Sequence, residues 1–453
     1  MTAVTSSSVV SEGVESLAAA AQALAQGPSP RWLEELRKEA LAAFADRGLP
    51  TPKDEAWRFT DLGPVARQPW RQDQGGAPLH YRPAALEAFL HLSRIVSPTR
   101  KSHKLVFVNG RLDAELSSPD GLPTGIRFEP ISRILKTAPD DLRPHLGLTG
   151  AHRRHPLAAL NTAALADGAC LQVDAGVVAQ EPFHVVHVTD ASAGPTASHP
   201  RFLVVLGENA QASVVESFVG PDDEHPAFVN GLAEVYLGPH ATLDQTTLQE
   251  EGKSTLHVGT LWTHQDRGSQ LFSHLISVGG RIARSEVTAA LHGEGASLTL
   301  DGLLLGKGEQ QVDLRTLIDH AKPHGGSQEY VKGIFDGSAR GAFEGKIVVR
   351  PNAQKTDAHQ KNRNLILSRE ALVDTKPQLE IYNDDVKCTH GSTTGRLDAD
   401  ALFYLRSRGL GEPAARSLLT AAFAAEIAER VKVETVREYL HHRILRWLPE
   451  EAA

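Results

Sequence analysis

The sequence predicts a mainly β protein whose centre is a β-solenoid flanked by helical segments. Short β-prone runs replace helical periodicity from Leu171 to Gly395, and similar turns recur there at separations of 31, 28, 27 and 31 residues. The small residues that close these turns are Ala210, Ala241, Ser269, Ala296 and Ser327. Such a period is typical of stacked units that bury their apolar faces against one another. A β-sandwich is the alternative, whereas the scarcity of strong helix patterns disfavours alternating βα units.

Composition divides the chain into four predicted parts. Residues 1–28 are rich in Ser, Ala and Val and predict a disordered tail. Residues 29–165 are expected to form a mostly helical domain, and residues 166–396 the solenoid core. Residues 397–453 return to helical periodicity and predict a C-terminal helical domain.

Local signals place individual elements in these parts. Ser29 and Pro30 are suited to begin a helix that Gly48 ends. The Asn109-Gly110 pair after a β-prone run is a strong hairpin signal, and 157–165 is predicted to be helical. The aromatic segment 57–60 is interpreted as a packed junction between a helix and a loop.

The C-terminal part contains three predicted helices, the first of which Asp398 can cap. Their apolar faces allow two roles. The helices either cap the open end of the solenoid or form a docking platform for a partner, as in helix-in-groove recognition.

Composition and charge exclude several protein classes. The chain has 453 residues, a formal net charge of -8, 41% apolar residues and 23% charged residues, so nothing indicates nucleic-acid binding. Cys170 and Cys388 are the two cysteines, which excludes a disulfide framework and indicates a reducing compartment. The sequence contains no run of 18 apolar residues, so we predict no membrane span. We find no export-signal pattern in 1–27 and expect a cytoplasmic protein.

The segment 384–391 carries the strongest chemical signal. Cys388 and His390 are two residues apart, so in an extended strand their side chains share a face, with backbones roughly 6.5 Å apart. A thiolate and an imidazole on one face suit iron, zinc or a nascent iron–sulfur species. Two ligands do not complete a metal site, which predicts that a partner chain supplies the others.

Other candidate groups have less specific surroundings. Cys170 lies in an apolar run and is predicted to be a core residue. The segment 320–324 has two histidines at metal-like spacing, but Pro323 disfavours a helix there, so we predict a loop. His359 lies in a polar segment predicted to be solvated. The Gly252-Lys253-Ser254 segment lacks the earlier glycine of a phosphate-binding loop, so we expect this chain not to bind ATP.

Several ordered blocks resemble the SufB/SufD family of iron–sulfur cluster assembly proteins, more closely SufD because SufB proteins carry additional cysteines. They cover roughly the last quarter of the chain, and the Trp57–Thr60 segment resembles an N-terminal motif of the same family. The blocks are 344–350, 353–360, 362–365, 376–381, 384–391 and 400–409.

The resemblance implies a right-handed parallel β-helix core and a non-catalytic scaffold that assists cluster assembly and iron acquisition. It implies pairing with SufB through the β-helix, and a transient cluster or iron at that junction held by His390 and Cys388. ATP hydrolysis would belong to a SufC partner docked on the C-terminal helices; flavin association stays open, and a homodimer is conceivable without SufB. The candidate SufC-docking residues are Leu402, Phe403, Leu405, Leu419 and Phe423.

Two other classes of function compete with this interpretation. A carbohydrate-active β-helix enzyme would use clustered carboxylates, but no such pair occurs in a recognisable motif. A metal-free structural solenoid would bind protein partners only. Copurification with a SufC-like ATPase, followed by iron and sulfide analysis, separates the three.

Overall fold

The computed structural model describes residues 6–25, 29–72, 103–119, 121–222 and 224–449. Its centre consists of two sheets, named A and B, which share one apolar interior. The strands of sheet A are β1 (Arg71–Gln72), β4 (Ile126–Pro130), β5 (Ala169–Val173), β7 (Thr196–Ser198), β8 (Arg201–Leu206), β10 (Ala227–Leu237), β12 (Thr255–Gln265), β14 (Ile282–Leu291), β16 (Gln311–His320), β18 (Arg340–Val349) and β20 (Leu372–Ile381). The strands of sheet B are β2 (His103–Val108), β3 (Arg111–Ser118), β6 (Phe183–Val188), β9 (Gln211–Val219), β11 (Thr242–Glu250), β13 (Gln270–Ser277), β15 (Ser297–Gly306), β17 (Gly326–Phe335), β19 (Asp357–Ile366) and β21 (Lys387–Gly395).

Successive strands from β8 onward alternate between the two sheets, and each pairs in parallel with the strand two elements later. This is the connectivity of a parallel β-solenoid, so the predicted solenoid is confirmed and the β-sandwich is excluded. Parallel strands are buried on both faces, which accounts for the nearly continuous burial of β10 and β12.

One turn type leads into successive strands of sheet B. The residue two positions before the strand adopts a positive φ of 58° to 69°, which favours glycine, asparagine and histidine in a tight turn. These residues are Asn209, His240, Gly268, Gly295, His324 and Lys355. The register pairs Ser297 with Gly326, so Gly325 is the equivalent of Ala296. The sequence analysis therefore assigned the end of the last turn two residues too late, because Ser327 is already inside β17.

Helices flank the solenoid, and none among the described residues is long and apolar enough to span a membrane. The α-helices are α1 (Ser6–Ala25), α2 (Arg31–Arg47), α3 (Gly63–Arg67), α4 (Ile131–Thr137), α5 (Ala151–Arg154), α6 (Pro156–Ala163), α7 (Ala399–Ser407), α8 (Glu412–Ala428) and α9 (Glu434–Trp447). Two 3₁₀ helices are Glu55–Trp57 and Pro139–Asp141.

The prediction of a disordered tail over residues 1–28 is wrong for α1. Leu17 and Ala21, one helical turn apart, are buried in the same apolar cluster as Trp57. Gly13 permits a close approach to α3, because a Cβ there would lie 2.3 Å from the carbonyl oxygen of Val65. Packing on neighbouring elements, which composition does not reveal, stabilises this helix.

The segment 29–165 is less helical than predicted. β2 pairs with β6 and β4 pairs with β5, so both sheets recruit strands from before residue 166. The expected hairpin is confirmed: Asn109 and Gly110 have φ of 48° and 83° and join β2 to β3. The predicted helix at 157–165 is confirmed as α6.

The aromatic segment 57–60 is a packed junction, as predicted. The guanidinium of Arg284 lies 4.1 Å from the ring centroid of Trp57 and donates a hydrogen bond to the hydroxyl of Thr60. Thr60 in turn donates to Asp313 at 2.5 Å. This polar cluster fixes the N-terminal helices on sheet A.

The C-terminal helices lie along the outer face of sheet B. Arg430 bonds to Asp301 at 2.6 Å, and Tyr439 donates to Glu250 at 2.7 Å. Asp398 accepts hydrogen bonds from two backbone N–H groups of α7, which confirms the predicted cap. The alternative that these helices cap the open end of the solenoid is wrong for α8 and α9, because their buried residues pack against sheet B side chains. The helix α7 has no buried residue.

Candidate functional site

The solenoid ends at two strands with an open edge. β20 pairs with β18 and β21 pairs with β19, and no described strand continues either sheet beyond them. An edge strand presents N–H and C=O groups that another chain can pair with. The C-terminal end of the solenoid is therefore a suitable surface for a partner strand.

Cys388 and His390 lie on β21 at this end, and strand register shows where each side chain points. In the parallel register Cys388 is paired with Ala358, and His390 is paired with Gln360, which is itself paired with Glu329 on β17. We call each such set of aligned residues on successive strands a column. Ala358, Gln360 and Glu329 are buried, so both columns face the interior of the solenoid. Because no further turn covers β21, the two side chains lie at the mouth of that interior.

The surroundings of the two residues differ. Cys388 is half-buried and packs against the apolar interior, whereas His390 is exposed. Burial raises the pKa of the Cys388 thiol, and a hydrogen bond from the backbone of Ala358 only partly opposes this. Lys387 is exposed on the opposite face of the strand and does not favour the thiolate. The thiol of Cys388 must therefore lose its proton before its sulfur can bind a metal ion.

A polar column beneath His390 escaped the sequence analysis. Gln360 donates a hydrogen bond to Glu329 at 2.6 Å, and both side chains are 2% exposed. Gln360 Oε1 and Glu329 Oε1 have no hydrogen-bond partner within the described ranges. Glu329, Gln360 and His390 are 31 and 30 residues apart, so only the register of the solenoid brings them together. The interior beneath His390 is thus polar and can hold a proton.

Glu329 should make stability depend on pH. Burial raises its pKa to about 7, against the opposing effect of Thr316 and Gln360. A carboxyl whose pKa is raised by folding stabilises the fold below its unfolded pKa near 4.5, and this contribution disappears as pH rises toward 7. Glu329→Gln should therefore increase the free energy of unfolding at pH 8 by up to about 3 kcal/mol and change it little at pH 4.

Urea unfolding of both proteins at pH 4, 6 and 8 measures this difference. Asp313, whose pKa burial raises to about 6, remains in the variant. The free energy of unfolding of the variant should therefore still decrease with rising pH, but less than that of wild type. An unchanged difference between pH 4 and pH 8 after Glu329→Gln would contradict the assignment of the buried acid.

The remaining sequence candidates do not converge on the site. Cys170 is fully buried, as predicted, and burial raises the pKa of its thiol to about 12. His320 ends β16 and bonds to Ser327 at 2.9 Å, while His324 lies in the following turn. His359 is 49% exposed beside Asp357, in agreement with the predicted solvated face. Residues 252–254 connect β11 to β12 and precede no helix, which excludes a phosphate-binding loop there.

The predicted docking residues are unevenly placed. Phe403 is 73% exposed on α7, and Leu402, Leu405 and Leu419 are half-buried. Phe423 contacts this chain's own solenoid, because Lys332 Nζ lies 4.1 Å from its ring centroid. Two neighbours that the sequence analysis omitted, Tyr404 and Leu418, are 56% and 51% exposed.

Two family models together span most of the chain. The model described as SUF system FeS cluster assembly, SufBD core domain matches residues 187–423, and the SufBD protein N-terminal region matches residues 14–185. The chain belongs to the SufBD family of iron–sulfur cluster assembly proteins. The boundary between the two SufBD models lies within β6, close to where the alternation between sheets becomes regular.

Individual SufBD relatives align over nearly the full chain. A SufBD family protein of Synechocystis is 32% identical over 429 residues, covering 92% of this chain and 91% of the relative. SufD of Escherichia coli is 32% identical over 419 residues, covering 91% of this chain and 92% of the relative. SufD of Bacillus subtilis is 27% identical over 420 residues, covering 91% and 93%. Family membership thus favours cluster assembly over the carbohydrate-active alternative.

Proposed function

We propose that this chain is a SufD-like, non-catalytic scaffold subunit that pairs with SufB through the open end of its solenoid. The observation that carries the proposal is the position of Cys388 and His390, side by side at the mouth of the interior, on a strand whose outer edge is unpaired. A partner strand on that edge would cover both side chains. The nascent iron–sulfur cluster, or iron acquired for it, is the cargo of this junction.

The two side chains have complementary chemistry toward such a cargo. Neutral imidazole binds iron and replaces cysteine in some cluster types. The protonated thiol of Cys388 adds a second, softer ligand once metal displaces its proton. Thiols of SufB complete the coordination, and the polar column of Gln360 and Glu329 offers a route for the released proton.

Opening and closing of this junction would come from a partner ATPase. In the proposal SufC docks on the C-terminal helices, and closure of two SufC subunits strains the SufB–SufD interface, which admits iron and sulfide. The helices are suited to transmit such a force. Lys332, buried in sheet B, bonds to Glu426 of α8 at 2.7 Å, which couples the helices to strand β17.

Phe403→Asp should weaken copurification of the ATPase, because it places a charge on the most exposed of the predicted docking residues. Leu148→Asp is the matched control, since Leu148 is 66% exposed but lies outside the C-terminal helices. Quantitative pull-down of both variants measures the effect. Equal recovery of the ATPase with Phe403→Asp and wild type would remove α7 from the docking surface.

An anaerobic pull-down of the tagged chain from its native cytosol tests the proposal as a whole. We expect a SufB-like chain, a SufC-like ATPase, and iron with acid-labile sulfide in the complex. Recovery of protein partners without iron or sulfide would support the metal-free structural solenoid instead. Recovery of the chain alone, or as a homodimer under conditions where SufB is present, would contradict the proposed pairing.

A further inference from the structure

A second pair of potential ligands lies on the solenoid far from Cys388. His264 is the penultimate residue of β12, and His292 directly follows β14. Their Nδ1 atoms are 3.2 Å apart, and their rings are nearly perpendicular with centroids 4.8 Å apart. His264 is half-buried and His292 is exposed, so the pair can be reached from solvent.

The separation of the two nitrogens matches a shared metal ion. Imidazole nitrogens bind zinc at about 2.1 Å, so two nitrogens 3.2 Å apart subtend an angle of roughly 100° at the metal. This angle lies between the octahedral and tetrahedral values. The same distance also permits one N–H···N hydrogen bond between neutral rings, and the metal titration described below distinguishes the two.

The protein contacts the ring of His264 and fixes the backbone of His292 without metal. Tyr236 lies beside the ring of His264, with centroids 6.2 Å apart, and its own hydroxyl accepts a hydrogen bond from the backbone N–H of Thr149. The backbone N–H of His292 donates to the carbonyl of Gln265, which ties the end of β14 to the neighbouring strand. A preorganised pair loses little side-chain freedom on binding an ion.

The local charges favour a cation. Asp266, two residues further along the chain, contributes a negative charge near His264.

We propose that His264 and His292 form a binding site for a divalent transition-metal ion of the class that prefers imidazole, such as Zn²⁺, Ni²⁺, Cu²⁺ or Fe²⁺. Among the described residues no group of three or more histidine, cysteine or carboxylate side chains converges on one point, so water completes the coordination of this ion. An open site with two protein ligands suits reversible capture. The site is four strand spacings, roughly 19 Å, from β20 at the open end, and it is independent of the proposed cluster junction.

Zinc titration of the metal-stripped full-length chain tests this site. His264→Asn and His292→Asn should each weaken one binding event by roughly tenfold or more, because either substitution removes one of the two protein ligands. His225→Asn, a change of an exposed histidine in another loop, is the matched control and should titrate as wild type does. Zinc binding of both site variants with wild-type affinity and stoichiometry would overturn the proposal.

Copper electron paramagnetic resonance provides a readout that a merely structural role would not change. With one equivalent of Cu²⁺, the wild-type spectrum should show coupling to two imidazole nitrogens, and His292→Asn should lose one of them. His390→Ala should keep both, which separates this site from the open end. Spectra of His264→Asn and His292→Asn identical to that of wild type would show that the rings share only a hydrogen bond.

Discussion

Replacement of His390 by alanine should leave partner binding intact and reduce iron and sulfide in the purified complex by at least about tenfold. The side chain is exposed at the mouth of the solenoid, so its removal creates no cavity in the isolated chain. Its loss would, however, leave the cargo without the imidazole that β21 presents at the mouth of the solenoid. Anaerobic pull-down with quantification of iron and acid-labile sulfide measures the effect.

His359→Ala is the matched control for His390→Ala. His359 lies one strand earlier on β19, but its ring bonds to Asp357 and Thr389 on the outer side of the sheet. We therefore expect a normal cluster yield from this control. His390→Cys should recover part of the yield, because a thiolate can occupy the position of an imidazole in a cluster. A full yield from His390→Ala would remove His390 from the site.

Cys388→Ser distinguishes a ligand from a packing residue. Cys388 is half-buried against the apolar interior, and serine nearly preserves its volume. A ligand role predicts a loss of cluster without a change in the free energy of unfolding. A packing role predicts a lower free energy of unfolding and an unchanged amount of cluster.

The features that the sequence predicted correctly are local. The Asn109-Gly110 hairpin and the Asp398 cap depend on backbone dihedrals and hydrogen bonds within four residues. The shared face of Cys388 and His390 depends only on the two-residue period of a strand. The solenoid was predicted because its turns repeat along the chain, although one turn was assigned two residues late.

The features that the sequence did not reveal depend on contacts between distant segments. α1 is stabilised by a cluster that includes Trp57, and composition gives no sign of it. Gln360 becomes the neighbour of His390 only through a turn of 30 residues, and turns of this solenoid differ in length. The sequence analysis predicted Phe423 as a partner-docking residue, yet the buried Lys332 of sheet B lies over its ring. Register and docking, which arise during tertiary packing, decide these cases.

The same dependence on tertiary contacts gives the second large expected effect, at an ion pair within sheet A that is hydrogen-bonded to the N-terminal segment. Arg201 and Glu234 bond to each other with both side chains fully buried. Glu234 also accepts hydrogen bonds from Gly147 and Thr149, and Arg201 donates to Asn161 at 3.0 Å. Glu234→Gln should lower the free energy of unfolding by about 3–5 kcal/mol, because it leaves the guanidinium charged, buried and unpaired.

Two comparisons make this prediction specific, with urea unfolding followed by circular dichroism as the measurement. Glu35→Gln breaks the exposed pair with Arg31 and should produce no measurable change, since solvent screens that pair. Arg201→Met combined with Glu234→Leu should recover much of the loss, because removal of both charges also removes the cost of burying them. If Glu234→Gln unfolds at the wild-type urea concentration, the buried charge is compensated by groups other than Glu234, and the N-terminal segment is attached to sheet A mainly by its apolar contacts.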